Sequence, residues 1–267
     1  MKDWCSPRMA WIGAGVSFIA LCSVTFAVAI PALRSSASDA RTHRIEVSFE
    51  QPPRWMGPED LAPLQDAVAR EVGTDPYDRA GLERARVMLE ASGWFESVQQ
   101  VRRTGHGGIS VTGEFAQPTA IVADRDGDHL IDSEGRLMPR SYGHGTAPAI
   151  TRITGVTLPR PSRAGEVWQG ADLVAGLEMA KLVALQRWRA QIASVDVSQY
   201  RDHQTLALTT VGGCRLNWGR APGAEAAAEV PASQKLRYIS MLQTQYGRID
   251  AAGPASIDLS VDYVGSH

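Results

Sequence analysis

Residues 75–115 read DPYDRAGLERARVMLEASGWFESVQQVRRTGHGGISVTGEF, a helix signal followed by two strand signals. Asp75 before Pro76 reads as an N-cap with proline at the first helical position. Leu82, Ala85 and Leu89 then share one helical stripe, which stops at Gly93. The runs 98–103 and 109–115 read as strands joined by Thr104-Gly105-His106-Gly107-Gly108, where glycine supplies the positive φ angles of a tight hairpin. Upstream, residues 60–72 carry Leu61, Leu64, Val68 and Val72 at spacings of three and four, a second helix. Before it, Ile45, Val47 and Phe49 alternate with polar residues over 44–50, a half-buried strand. The order β-α-α-β-β across residues 44–116 predicts a small α+β unit with both helices on one face of a short sheet.

Beyond Pro118 the pattern shifts, and residues 117–267 are expected to form a mainly antiparallel β-sheet domain with helices. Strands at 121–123 and 129–132 flank the turn Asp124-Arg125-Asp126-Gly127-Asp128. An amphipathic helix over 171–188 aligns Leu173, Leu177, Ala180, Ala184 and Trp188. Strands at 192–197, 205–211 and 214–218 follow, then an Ala/Glu-rich loop at 222–230 and a helix at 233–245. In the last strand, 256–264, Ile257, Leu259, Val261 and Tyr263 alternate with polar residues. No internal repeat is visible.

The N-terminus carries a different signal. From Met9 to Leu33 no residue is charged, and Arg8 and Arg34 bound the run. As a helix it would extend roughly 37 Å, enough for a hydrocarbon core of about 30 Å. This predicts a cytoplasmic tail (1–8), a single transmembrane helix (9–33) and a Ser/Ala-rich tether (34–43), inserted in the inner, cytoplasmic membrane with the C-terminal part extracytoplasmic. The competing reading is a cleaved secretory signal, because Lys2 and Arg8 form a basic n-region and Ala27-Val28-Ala29 suits a peptidase. Charge counts on the two sides do not decide the orientation, but a short tail before a large domain favours the N-terminus inside.

Composition narrows the function classes. The 267 residues include 27 basic and 29 acidic side chains, a formal charge of -2, which gives no basic excess for a phosphate backbone and argues against nucleic acid as a partner. Cys5 and Cys22 lie in the N-terminal segment and Cys214 in a predicted strand, so no disulfide staples the fold. The stretch Asp124–Glu134 begins like a calcium loop, but His129 stands at position six, where glycine is needed, and Gly135 at position twelve, where glutamate is needed. It reads as a hairpin turn. His43, His106, His129, His144, His203 and His267 show no zinc-ligand spacing. The glycines around His106 and His144 lack the lysine and strand-loop-helix context of a phosphate loop, and no G-x-S-x-G elbow occurs. Neither catalytic residues nor a cofactor, a metal or a small-molecule substrate is expected.

Taken in order, several stretches resemble the FtsQ/DivIB family of bacterial cell-division proteins. Leu89, Gly93-Trp94-Phe95, Val98 and Val101-Arg102-Arg103 are similar to that family's second POTRA helix and following strand. Ile109-Ser110-Val111-Thr112-Gly113-Glu114 with Pro118-Thr119-Ala120 resembles the exit from the POTRA domain, and Leu130-Ile131-Asp132-Ser133-Glu134-Gly135-Arg136-Leu137 resembles its "LVDxxGxVF" run. Ile153-Thr154-Gly155, Gly212 to Gly219, Lys235-Leu236 and Ile257-Asp258-Leu259 are similar to later landmarks. The sequence departs at Gly105–Gly108, where the family usually has an aromatic-proline pair, and at Ser260, where it often has arginine. The resemblance implies a non-catalytic scaffold that links membrane-anchored division proteins of FtsB/FtsL type to the septal peptidoglycan synthase complex. It also implies that the closing strand (Ile257, Asp258, Leu259, Ser260, Val261, Asp262, Tyr263 and Val264) is the partner-binding edge, since an edge strand can accept another chain's strand. The alternative is an anchored POTRA-containing protein for polypeptide transport or outer-membrane assembly; repeated POTRA units and long barrel strands, which it would call for, are missing from the pattern.

Overall fold

The computed structural model describes residues 45–75, 77–250 and 256–261. The expected tail, membrane-spanning run and tether lie outside these residues. Among the described residues no helix is long and apolar enough to cross a membrane.

The first sheet is built from the quoted stretch. Strands β1 (Val47–Phe49), β2 (Phe95–Arg103) and β3 (Ile109–Phe115) order as β1-β3-β2, with β1 parallel and β2 antiparallel to the central β3. Alternation brings Val47, Phe49, Ile109 and Val111 to one face, and the Phe95 and Phe115 rings meet there at 4.3 Å between centroids. Helices α1 (Pro58–Val72) and α2 (Arg79–Glu90) bury Leu64, Val68, Val72, Ala85 and Leu89. Helix α2 starts later than the sequence suggested. Asp78, not Asp75, is the cap, accepting the Gly81 amide at 2.9 Å. Asp75 instead accepts the Tyr77 amide in the preceding turn. The Arg103 guanidinium donates to the carbonyls of Val72, Gly73 and Asp75, tying the end of α1 to β2.

The second sheet contains β4 (Ala120–Ala123), β5 (Asp128–Ile131), β6 (Leu137–Tyr142), β7 (Arg152–Thr154), β8 (Ile192–Asp196), β9 (Leu206–Thr210), β10 (Arg215–Gly219) and β11 (Ser256–Asp258). Its order is β11-β10-β9-β8-β7-β4-β5-β6. The sheet is mixed: four neighbouring pairs are antiparallel, whereas β4 with β7, β7 with β8 and β10 with β11 are parallel. The cause is topological. Helix α3 (Ala171–Ala184) lies between β7 and β8 in sequence, and α5 (Ala232–Tyr246) lies between β10 and β11. Each acts as the crossover that joins parallel neighbours. A short helix, α4 (Tyr200–His203), precedes β9.

Helix α3 is buried almost all round, and its Gly176 allows close approach: a Cβ there would lie 2.8 Å from a Val197 methyl and 3.0 Å from one of Ile153. It ends at Ala184, short of the expected Trp188. A turn follows in which the Gln186 amide bonds Val183 O, and Trp188 still reaches the core through it. Leu173, Met179, Trp188, Val195, Leu208, Leu216, Trp218 and Ile239 form the main cluster between this sheet and its helices.

Candidate interaction edge

The second sheet has two outer strands, and they are finished differently. Along β6, Pro139 has no N–H to offer. The outer side of its first half is already paired: Leu137 donates to Glu166 O at 2.9 Å and accepts from the Gly165 amide at 2.8 Å. Val167 bridges to Arg136 beside them. That edge is closed by the chain itself.

The other edge is β11. Leu216 is in register with Ile257, and the Leu259 amide donates to Asn217 O at 2.8 Å. Backbone groups alternate along a strand, so Ile257 and Leu259 face β10 while Ser256 and Asp258 turn their N–H and C=O outward. Among the described residues no strand lies on that outer side. Side chains alternate as well: Ile257 and Leu259 join Leu216 and Trp218 on the core face, and Ser256 and Asp258 stand beside Arg215 and Asn217 on the other. Leu259 is 4% exposed, whereas Ile257 packs on the core only in part. Among the described residues the apolar layer thus runs out to a partly exposed margin at Ile257.

The strand is shorter than expected. Asp258 Oδ1 accepts both the Ser260 amide (2.8 Å) and the Ser260 hydroxyl (2.6 Å), a side-chain turn that competes with further extension. Ser260 and Val261 form a bend, and Val261 is exposed. Asp262, Tyr263 and Val264 lie outside the described residues.

Beneath the turn lies a polar cluster that joins the predicted loop at 222–230 to the start of the following helix. The ladder of β9 with β10 slips between Asn217 and Gly219, and Lys235 Nζ takes the Trp218 carbonyl at 2.6 Å. The same ammonium lies 2.6 Å from Glu229 Oε1 and over the Trp218 ring at 5.0 Å. Glu229 also accepts the amides of Arg220 (2.9 Å) and Ala226 (3.2 Å). Val230, next in the chain, donates its amide to Ser260 O at 3.1 Å. The available signal was charge complementarity between Glu229 and Lys235, six residues apart across a helix start.

On the far face of the sheet, Arg215 Nη1 lies 2.5 Å from Asp196 Oδ2, linking β10 to β8 across β9. Burial raises the Asp196 carboxyl, but the Arg215 guanidinium and the Ser198 amide outweigh it and hold the group below the ordinary carboxylate value. Burial pushes the Cys214 thiol up, and the Asp250 charge adds to that.

The Asp124 turn is the β4–β5 hairpin. Asp124 Oδ1 accepts the amides of Asp126 (2.7 Å) and Gly127 (3.1 Å), and His129 Nε2 lies 3.0 Å away. His129 Nδ1 faces Ser141 Oγ at 2.9 Å and the Arg160 guanidinium at 3.5 Å. These residue types match those of acyl-transfer triads. Here one ring nitrogen is shared between a hydroxyl and a cation, and the carboxylate oxygen is shared with two backbone amides, so the contacts knit the hairpin to β6. Among the described residues no group of three His, Cys, Asp or Glu side chains could hold a metal ion.

No family model and no curated protein matches the chain. Among solved structures, it is similar to the major extracytoplasmic domain of the bacterial cell division protein DivIB from Geobacillus stearothermophilus, at 20% identity and a TM-score of 0.27, over 39% of this chain and 77% of that one.

Proposed function

We propose that this chain is a non-catalytic, single-pass scaffold of the bacterial division machinery, anchored by residues 9–33 and recruiting partners by strand addition at β11. In this reading residues 44–116 are a POTRA-like unit and residues 117–267 a β-rich domain of FtsQ type, both extracytoplasmic. The observation that carries the mode of recruitment is the unequal finish of the second sheet. Segment 165–168 and a proline cover β6, whereas among the described residues no strand pairs with the outward backbone of Ser256 and Asp258, beside a half-covered Ile257. Native sheets normally manage their edges, and an outward backbone with no strand paired to it among the described residues, in a fold that pairs its other edge from within, suits an incoming strand. The division role and the partners, membrane-anchored proteins of FtsB/FtsL type and the septal peptidoglycan synthase complex, rest on the motif order described above.

The test is depletion in the native host, with the full-length chain tagged at its N-terminus. Filaments without septa, together with tagged protein gathered at division sites, are the expected result. Normal division with loss of assembled outer-membrane barrels would favour the transport alternative instead.

A further inference from the structure

We infer that Glu229 and Lys235 act together as a register stop on the C-terminal edge, keeping an incoming strand from pairing beyond Asp258. The inference rests on the strand-addition reading above, and it concerns how that edge selects its partner rather than whether it has one.

Three observations converge on it. The Lys235 side chain is wholly inaccessible, and its ammonium is held by the Glu229 carboxylate and the Trp218 carbonyl. A buried charge of this kind is kept only where its partners are fixed. Glu229 in turn gathers the amides of Arg220 and Ala226, so the loop around it is folded onto the end of β10. Gly219 makes room for this: its φ is +92°, and a Cβ there would collide with Glu229 Oε1 and lie 2.9 Å from Ser260 Cβ. The loop's next residue, Val230, then donates to Ser260 O. Ser260 is the third residue in the outward series Ser256, Asp258, Ser260, so the acceptor that would continue an intermolecular ladder is already occupied from within. Its amide is occupied too, by Asp258 Oδ1. An approaching strand therefore meets the outward groups of Ser256 and Asp258 and then, at Ser260, a filled position, which limits how far it can slide toward the C-terminus.

The experiment compares the full-length wild type with the double variant Glu229→Leu/Lys235→Met, which removes both charges without stranding either. Amide hydrogen exchange reads the stop directly. The Val230 amide should exchange at least tenfold faster in the double variant, with Val195 and Leu208 unchanged. Unaltered Val230 protection, or an equal loss at Val195 and Leu208, would overturn the inference. A photo-crosslinking residue at position 256 or 261, used in cells, reads the consequence. Wild type should crosslink a partner from 256 and not from 261, and the double variant from both. Wild-type crosslinking from 261 would also overturn the stop. If exchange behaves as expected but 256 captures nothing, the recruiting-edge reading fails while the stop stands as a property of the chain.

Discussion

Arg140 on β6 places its Nη1 2.7 Å from Asp60 Oδ2 in the first turn of α1, so a strand of the second sheet is ionically joined to the helix layer of the first. Asp60 is 9% exposed and also accepts the Gly57 amide at 3.1 Å. One carboxylate thus caps a helix and ties two sheets. Asp60→Ala should lower the unfolding free energy by about 2 kcal/mol, combining a lost cap with a lost charge-assisted bond. Asp60→Asn should recover part of that loss by keeping the cap acceptor. Urea unfolding of the two variants checks this.

A second tie is made by backbone alone. Gly93 has φ +78°, and a Cβ there would lie 2.6 Å from the Gly165 amide nitrogen and 3.1 Å from Leu137 O. Gly165 is itself bonded to Leu137 O. Gly93→Ala therefore carries both a left-handed backbone strain and a clash with main-chain atoms that cannot swing aside. It should destabilise the protein by about 2 kcal/mol or more. Gly107→Ala, where φ is +81° but the space is open, should cost only about 1 kcal/mol. Thermal melts of this pair separate strain from collision.

These ties were not legible in the sequence, whereas the elements they join largely were. The helix stripes at Leu64, Val68 and Val72 and at Ala85 and Leu89 carried period and phase together, so α1, α2 and their sheet could be read before any contact was known. Strand β7 could not. Arg152-Ile153-Thr154 has one apolar residue and no alternation to display, yet it turns α3 into a crossover and makes its neighbours parallel. Strand β6 hid behind Pro139. At the candidate edge, the alternation of Ile257 and Leu259 was visible. The Asp258 side chain that ends the strand two residues later was not, because its competition with the ladder depends on where Ser260 turns. The sequence places Glu229 in a loop and Lys235 at a helix start without pairing them, since burial of a lysine follows from the slip at Trp218 and not from its neighbours in sequence.

Acid should weaken the second sheet. The Asp196 carboxyl, raised by burial but lowered further by Arg215, and Asp128, raised by burial but lowered further by Arg152 and the Gly145 amide, both sit below their ordinary values. A carboxylate depressed in the folded state stabilises above its unfolded value of about 3.9 and loses that contribution as pH falls through its folded value. Urea midpoints should therefore hold steady from about pH 7 to 5 and decline below about pH 4. Asp196→Asn should cost about 1 kcal/mol at neutral pH, where Arg215 is partly exposed, and should flatten the acid decline. An unchanged acid slope in that variant would remove Asp196 from the account.

The Lys235 site should show strong coupling in stability. Lys235→Met leaves Glu229 charged and largely enclosed, a loss of about 3 to 5 kcal/mol. Glu229→Leu strands the ammonium in the same way. The double variant has no uncompensated charge and should be more stable than either single one, and the cycle of four proteins in urea gives the coupling directly. Additive losses would mean that the pair does not act as a unit.

Proline scanning separates the inner from the outer face of β11. The Ile257 amide faces β10, so Ile257→Pro removes an internal ladder bond and should loosen the strand whatever binds outside it. The Asp258 amide faces away, so Asp258→Pro spares the ladder to β10 while deleting the donor that an incoming strand would use. It also deletes the carboxylate that holds the Ser260 amide and hydroxyl, which calls for a control. Asp258→Asn keeps an acceptor there and keeps the outward amide. If β11 recruits by strand addition, Asp258→Pro should abolish photo-crosslinking from position 256, Asp258→Asn should retain it, and both should keep the far-ultraviolet circular dichroism of the wild type. Retained crosslinking in a folded Asp258→Pro protein would mean that the outward amide of β11 is not the group a partner pairs with.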